Sequence, residues 1–212
     1  MEGDARSLCC LSLLLFLFTS PHNALHSPDL VLGGVGIFNS PSGVAVDPNS
    51  DALFVVDTNN NRVLRFDSRS SLTSGSPPDF VYGNNANMTS GGSLNQPFSA
   101  CVDFAGNLWI ADSGNSRVLL FSGTDQNEPP VAVLWFGQAS LNASLPNKGF
   151  GSPTANTMSN PRGVTIDSTG TLWVSDSGNN RFLPPFPLYV RFILLPPSPQ
   201  GTCLRFCTGA AC

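Results

Sequence analysis

The sequence repeats one unit three times, and this repetition constrains the fold more than any other feature. The first copy begins at Pro41 and places Asp57 five residues before Arg62. The same pattern of residues returns after Pro97 and again after Pro161. Chance does not align so many positions three times over. The chain is therefore expected to be a tandem array of one supersecondary unit.

Each copy contains short runs of β-branched and aromatic residues separated by turn residues, with no competing helical periodicity. Lead-in segments that end at Gly33, Gly83 and Gly137 mark intervals of 50 and 54 residues. Four short strands in a unit of about 50 residues are typical of a propeller blade. We therefore expect an all-β propeller with about three four-stranded blades. Because four to eight blades usually close a ring, this chain alone is expected to form a partial one. The predicted blades are residues 29–67, 79–123 and 133–182.

These motifs resemble NHL repeats. The shared signature is a Pro-x-Gly start, a strand that ends in Asp, and a turn of the form Asp-Ser/Thr-x-Asn-x-Arg, and it covers residues 29–182. The middle copy departs from the signature, with Phe98 and Ser99 where Ser-Gly is usual. The resemblance implies a β-propeller, usually six-bladed, that acts as a binding platform for proteins and in some members for RNA. The long loops rich in Ser, Asn and Gly are similar to those of secreted members.

The repeated turn is interpreted as a device that fixes the blade. Its Asp is expected to accept backbone N–H groups at the turn entry, and its Arg to pair across the turn or with the neighbouring blade. Its third position is expected to have positive φ, since Asn or Gly stands there. The predicted turn-fixing residues are Asp57, Asn60, Arg62, Asp112, Asn115, Arg117, Asp176, Asn179 and Arg181. The candidate ligand-binding residues of the same turns are Asn59, Asn61, Gly114, Ser116, Gly178 and Asn180.

Residues 8–18 form an apolar run that is shorter than the roughly 20 residues of a membrane-spanning helix. Such a run suits a secretory signal peptide, which we place at residues 1–24. The protein is therefore expected to be extracellular, and the alternative is membrane anchoring by an uncleaved N-terminal segment. Sequons at Asn87 and Asn142 agree with this route and predict N-glycosylation. The NHL repeats then occupy residues 25–182.

The tail, residues 183–212, has no counterpart in the other copies. Pro184 and Pro185 are expected to interrupt the last strand, since proline cannot donate to a β-ladder. In an extracellular protein the tail cysteines are candidates for disulfides with one another or with a partner. They offer only three ligands with no histidine nearby, so a zinc site is not expected. These cysteines are Cys203, Cys207 and Cys212.

Composition narrows the function further. Charged residues make up 11% of the chain and the net charge is −4, so no basic patch for nucleic acid is expected. The two histidines, His22 and His26, lie at or beside the leader, which leaves none for a catalytic metal or a Ser-His-Asp triad. We expect no cofactor and no membrane span beyond the signal peptide.

The function expected from these features is a secreted, non-catalytic binding or scaffold module for a protein or glycan. Self-association would be one way to complete the ring. Two alternatives stay open. The chain could be a fragment of a propeller enzyme, of the amidating lyase or calcium-dependent lactonase type, or a nonfunctional truncated product.

Overall fold

The computed structural model describes Leu32 and residues 37–83, 92–123 and 130–186. These residues form eleven strands in three antiparallel sheets. The first sheet contains β1 (Pro41–Val46), β2 (Leu53–Asp57), β3 (Arg62–Phe66) and β4 (Phe80–Gly83). The second contains β5 (Pro97–Val102), β6 (Leu108–Asp112), β7 (Arg117–Phe121) and β8 (Leu134–Phe136). The third contains β9 (Gly163–Ile166), β10 (Leu172–Asp176) and β11 (Arg181–Phe186).

The helical segments in these ranges are all short 3-10 turns. Three of them join the second and third strands of a sheet, and two lie in longer loops. None is long and apolar enough to cross a membrane. The five turns are Thr58–Asn60, Arg69–Ser71, Ser113–Asn115, Pro146–Gly149 and Ser177–Asn179.

Every sheet is a meander in which consecutive strands pair, and the first strands of successive sheets lie side by side. β1 contacts β5, and β5 contacts β9. The sheets therefore pack face to face around a common inner edge, which is the blade arrangement of a β-propeller. The chain is an all-β protein built from propeller blades.

Alternate side chains along each strand point to opposite faces, and both faces serve in packing. We call the face of a sheet that points to the next sheet its forward face and the opposite one its rear face. The first interface joins the forward face of the first sheet to the rear face of the second through Phe54, Val56, Val63, Tyr82, Leu108, Ile110, Leu119 and Phe121. The second joins the forward face of the second sheet to the rear face of the third through Trp109, Ala111, Val118, Phe136, Val164, Leu172, Val174 and Leu183.

The sheets do not coincide with the units predicted from the sequence. The lead-in that ends at Gly83 is β4, and it pairs with β3 of the sheet before it, with Arg62 opposite Gly83 and Arg65 opposite Phe80. β8 pairs with β7 in the same way. The sheets therefore extend over residues 41–83 and 97–136 and from residue 163 onward. The first two end with the segment that the sequence repeat assigned to the next copy. In the described part of the chain the third sheet has three strands and not the expected four.

The last strand also differs from the expectation. β11 continues past Arg181 through Pro184 and Pro185 to Phe186, and it pairs with β10 through Leu183 with an irregularity in the register. Proline is tolerated there because β11 is an edge strand among the described residues. The predicted leader, the sequon at Asn87 and the tail cysteines lie outside the described residues.

Candidate functional site

Three equivalent turns lie along one edge of the sheets, which we call the turn rim. It comprises the 3-10 turns that follow β2, β6 and β10 and the approach segments 37–40, 93–96 and 157–160 that precede the inner strands. The pairing of Pro41 with Asp57 and of Pro97 with Asp112 brings the approach segments and the turns to the same edge. The repeated sequence motif is thus concentrated at one end of the molecule.

The aspartate of each turn is fully buried and accepts hydrogen bonds through both oxygens. In the second sheet, Oδ2 of Asp112 accepts from Nδ2 of Asn115 at 2.9 Å and from Nε of Arg117 at 2.6 Å. Its Oδ1 accepts the backbone N–H of Asn95 at 2.7 Å. The same three bonds recur with Asp57, Asn60, Arg62 and Asn39 and with Asp176, Asn179, Arg181 and Ser159.

Each arginine extends the network to the approach segment. Arg62 donates to the carbonyl of Ile37 at 2.8 Å, and Arg117 to that of Ser93 at 2.9 Å. Arg181 donates to the carbonyl of Thr157 at 2.7 Å. The aspartate and arginine together therefore fix a strand-entry segment that lies 17 or 18 residues earlier in the chain.

This arrangement corrects the expected role of the aspartates. None of the three caps its own turn through its side chain. The backbone N–H that each one accepts belongs to the approach segment. The sequence could not show this, because local spacing gives no information on which distant segment passes the turn.

The position with positive φ also differs from the prediction. It is the fifth residue of the motif, namely Asn61, Ser116 and Asn180, with φ of 54°, 50° and 52°. At the third position of the second and third turns, glycine is required for space, whereas the first turn has Asn59 there. An added Cβ on Gly114 would lie 2.6 Å from Cγ of Asn95, and on Gly178 it would lie 2.5 Å from Oγ of Ser159.

The electrostatic environment differs among the three turns. Arg117 and Asp112 are both fully buried, whereas the arginine side chains of the outer turns are 24% and 26% exposed. Burial raises the pKa of Asp112, and the adjacent guanidinium of Arg117 opposes the shift. The central ion pair therefore depends on its hydrogen bonds more than the two outer pairs do.

The candidate ligand-binding residues divide into two groups. Asn59, Gly114, Gly178 and Asn180 are exposed. The other two lie between sheets: Oδ1 of Asn61 accepts the N–H of Gln96 at 2.8 Å, and Oγ of Ser116 accepts that of Asn160 at 3.3 Å. Ser116 is buried, so it links two sheets and offers no exposed surface to a ligand.

Sequence reasoning did not identify one further pair on this rim. The guanidinium of Arg162, which is exposed, lies over the ring of Phe98 at 5.1 Å from its centroid. Ser42 donates to the carbonyl of Phe98 at 2.7 Å. The departure of the middle copy from the family signature at Phe98 was the available signal, because an aromatic residue replaced serine there.

The predicted glycosylation residue Asn142 and one cysteine, Cys101, lie outside this rim. Asn142 is exposed and lines a cavity of about 240 Å³ together with Gln138 and Lys148. Cys101 lies in β5, and burial raises the pKa of its thiol to about 12, which makes it a poor nucleophile. In the described ranges no three His, Cys, Asp or Glu side chains cluster so as to hold a metal ion.

Comparison with known proteins identifies the repeat. The profile described as NHL repeat matches residues 38–66 and 158–183. None of the curated proteins matches the chain. Among solved structures, a luciferin-regenerating enzyme aligns with 68% of this chain and 40% of its own, at 18% identity and a TM-score of 0.45. A gluconolactonase from Xanthomonas campestris aligns with 66% and 36%, at 16% identity and a TM-score of 0.41.

A nidogen/laminin complex aligns with 77% of this chain and 52% of that chain, at 17% identity and a TM-score of 0.39. The chain thus spans well under two thirds of the first solved structures that it resembles. The two profile matches include the first and third Asp–Arg turns, and the second turn has the same hydrogen bonds. The chain therefore contains NHL repeats, matched at residues 38–66 and 158–183.

Proposed function

We propose that this chain is a secreted, non-catalytic NHL-repeat module that binds an extracellular protein at the turn rim. One observation carries the proposal: on this rim the buried polar groups stabilise the fold, whereas the exposed groups are available to a ligand. The ionised and amide groups below the surface are occupied with each other and with the approach segments. The exposed side chains of Arg162 and Asn59 are held by other contacts, with Phe98 in one case and with Asn39 and Ser40 in the other.

The exposed groups suit the recognition of a polar partner. Arg162 presents a guanidinium that can make paired hydrogen bonds to a carboxylate, while its contact with Phe98 restrains it. The amide of Asn59 is exposed on the turn of the first sheet, where its Nδ2 donates to Oγ of Ser40 at 3.0 Å. A preorganised surface loses less conformational entropy on binding. An acidic loop of a protein partner that reaches across the rim is the ligand we propose for these two residues. The leader predicted at residues 1–24 supports an encounter outside the cell.

The test is a binding screen with purified chain against a panel of extracellular protein domains and a glycan array. For any protein ligand found, the double variant Arg162→Ala, Asn59→Ala should weaken binding at least about tenfold, which corresponds to roughly 1.4 kcal/mol. Phe104→Ala is the matched control, because Phe104 is 60% exposed at the opposite edge of the sheets. The control should stay within about twofold of the wild type.

Three outcomes would contradict the proposal. The first is a ligand whose affinity is equal in both variants. The second is binding to glycans alone. The third is calcium-dependent hydrolysis of a lactone by the wild-type chain, which would favour the enzyme alternative. Retention of the expressed chain in the membrane fraction would separately contradict secretion.

A further inference from the structure

We propose that two copies of this chain join head to tail, with the forward face of the third sheet of one copy packed on the rear face of the first sheet of the other. This assembly is independent of the ligand proposed for the turn rim. It rests on four observations: the exposure of equivalent residues, the position of Leu32, a repeated polar link between sheets, and the number of sheets.

The forward face of the third sheet is uncovered by described residues, although its equivalents are buried. Trp109 in the second sheet is 1% exposed beneath the third sheet, whereas the equivalent Trp173 is 40% exposed. Val118 is fully buried, whereas the equivalent Phe182 is 78% exposed. An exposed tryptophan and phenylalanine on one sheet face form an apolar surface of the kind that marks an interaction site.

The rear face of the first sheet also has residues that are exposed where their equivalents are buried. Val44 is 70% exposed, whereas its equivalents Ala100 and Val164 are each 7% exposed beneath the preceding sheet. Val46, two residues along the same strand, is 41% exposed. Among the described residues, this face is therefore uncovered along β1, while Val55, Leu64 and Phe66 beside it are buried. Forward and rear faces already pack on each other twice within the chain.

Leu32 indicates what belongs on the rear face of the first sheet. Its sequence segment, Asp-Leu-Val-Leu-Gly, is the copy of the segments that form β4 and β8. Its equivalents Tyr82 and Phe136 lie on the outermost strand of one sheet and pack on the rear face of the next. Leu32 packs in the same way on the cluster of Leu64 and Phe66 in the first sheet.

A residue equivalent to those of an outermost strand therefore lies on the first sheet, although no described sheet of the same chain precedes it. The third sheet, in turn, has three strands in the described part of the chain, and its edge strand is β11. The third sheet of a second copy meets both conditions: it supplies a preceding sheet, and Leu32 packs where a residue of that sheet's fourth strand would pack.

A hydrogen bond between successive sheets also has its equivalent groups exposed at the two ends of the array. Asn61 and Ser116, the positive-φ residues of the first two turns, accept backbone N–H groups of the next sheet's approach segment, from Gln96 and Asn160. The third such residue, Asn180, is exposed. The residue that corresponds to Gln96 and Asn160 ahead of the first sheet is Ser40, which has the same positive φ of 51°. In the proposed pair, Asn180 of one copy accepts the N–H of Ser40 of the other.

The number of sheets in the described residues favours an assembly of two copies. Closed propellers have about four to eight blades, and six is the only multiple of three in that range. A head-to-tail contact closes into a ring when the rotation permits and otherwise forms open filaments. Two chains, each with the three sheets that its described residues form, would close a six-bladed ring through two identical interfaces.

The test measures the mass of the full chain by light scattering on size exclusion and by sedimentation velocity over a range of concentrations. The wild type should be a dimer. Phe182→Asp and Val44→Asp each place a charge in one of the two faces, and each should weaken association at least about tenfold, toward monomers. Phe150→Asp is the matched control, because Phe150 is 63% exposed in a loop outside both faces, and it should remain dimeric. Circular dichroism should show folded β-structure in all variants, since the three side chains are exposed.

Mixing provides the decisive measurement. An equimolar mixture of Phe182→Asp and Val44→Asp has one intact interface, formed by the unmodified third sheet of the second variant and the unmodified first sheet of the first. Dimers should reappear in the mixture at concentrations where each variant alone is monomeric. This rescue is specific to a head-to-tail contact.

Three results would overturn the proposal. A folded wild-type monomer at every concentration would do so, including one in which residues 187–212 of the same chain cover Trp173. Loss of the dimer with Phe182→Asp but not with Val44→Asp would mean that two third sheets meet each other. Equal disruption by Phe150→Asp would mean nonspecific association.

Discussion

The second and third sheets have the same local chemistry in different surroundings. Trp109 donates its indole N–H to Asp103 at 3.1 Å, and Trp173 donates to Asp167 at 2.8 Å. Trp109 is buried between two sheets, and Trp173 lies on a face that no described sheet covers. The repeat therefore sets the conformation of each residue, whereas its place in the stack sets its burial. The contribution of each residue to stability should therefore follow its burial.

The ion pairs show the same contrast. The Nε–Oδ2 distances are 2.8, 2.6 and 2.7 Å in the three turns, so their geometry is nearly constant. Only Arg117 is without solvent exposure. The three ion pairs should therefore contribute unequally to the free energy of unfolding. Substitutions at equivalent positions can measure the difference.

The largest expected effect is the removal of the buried tryptophan. Trp109→Ala should destabilise the chain by about 3–5 kcal/mol, the usual cost of truncating a large aromatic in a core. Trp173→Ala should cost less than half as much in the monomer, because much of its side chain is already in water. Urea unfolding of both variants checks the difference. Equal losses would show that burial in the stack does not decide the contribution of this position.

The second effect concerns the ion pairs. Arg117→Ala would leave Asp112 buried without its cation and should cost about 3 kcal/mol. Arg62→Ala should cost about 1 kcal/mol, since water can reach the group left behind. The measurement is again the free energy of unfolding. Costs that match within error would indicate that the partial exposure of Arg62 gives its aspartate no effective solvation.

The smallest effect is a change in acid sensitivity on the uncovered sheet. Hydrogen bonds from the side chains of Thr169 and Trp173 and from the N–H of Thr171 lower the pKa of Asp167 from its ordinary 3.8. Because the folded pKa lies below the unfolded one, the ionised carboxylate stabilises the fold above pH 3.8, and this contribution is lost as the pH falls toward the folded value.

The Asp167→Asn variant should therefore lose less stability than the wild type when urea unfolding is compared at pH 5 and below pH 3.8. Thr169→Val, which removes the largest cause of the shift, should give an intermediate slope. Parallel acid profiles for the three proteins would mean that these hydrogen bonds do not favour the ionised carboxylate.

Much of this architecture could be predicted from the sequence because repetition reveals structure independently of propensity. The strands around Val55 and Ile110 and the turns after Asp57, Asp112 and Asp176 are where the repeat indicates. Each turn's pairing of Asp with Arg is set by a spacing of five residues, which is a local property.

Other features depend on contacts that sequence alone does not contain. The segment ending at Gly83 repeats with the copy that follows it but pairs with the strand that precedes it. The glycine at position 114 reflects the proximity of Asn95, which is distant in sequence. The Arg162–Phe98 pair arises because the inner strands of two sheets lie side by side. Each of these required knowing which segments are neighbours.

The one-strand offset between the sequence repeat and the sheets has a practical consequence for dividing this protein into parts. A fragment cut at the repeat boundary before Phe80 would leave the first sheet without its outermost strand and expose the edge of β3. A fragment that starts at Pro41 would remove Leu32 from the rear face of the first sheet. Fragments for deletion, domain exchange or segmental labelling should therefore end after Gly83 or Phe136, one strand later than the repeats do, and those that include the first sheet should retain Leu32.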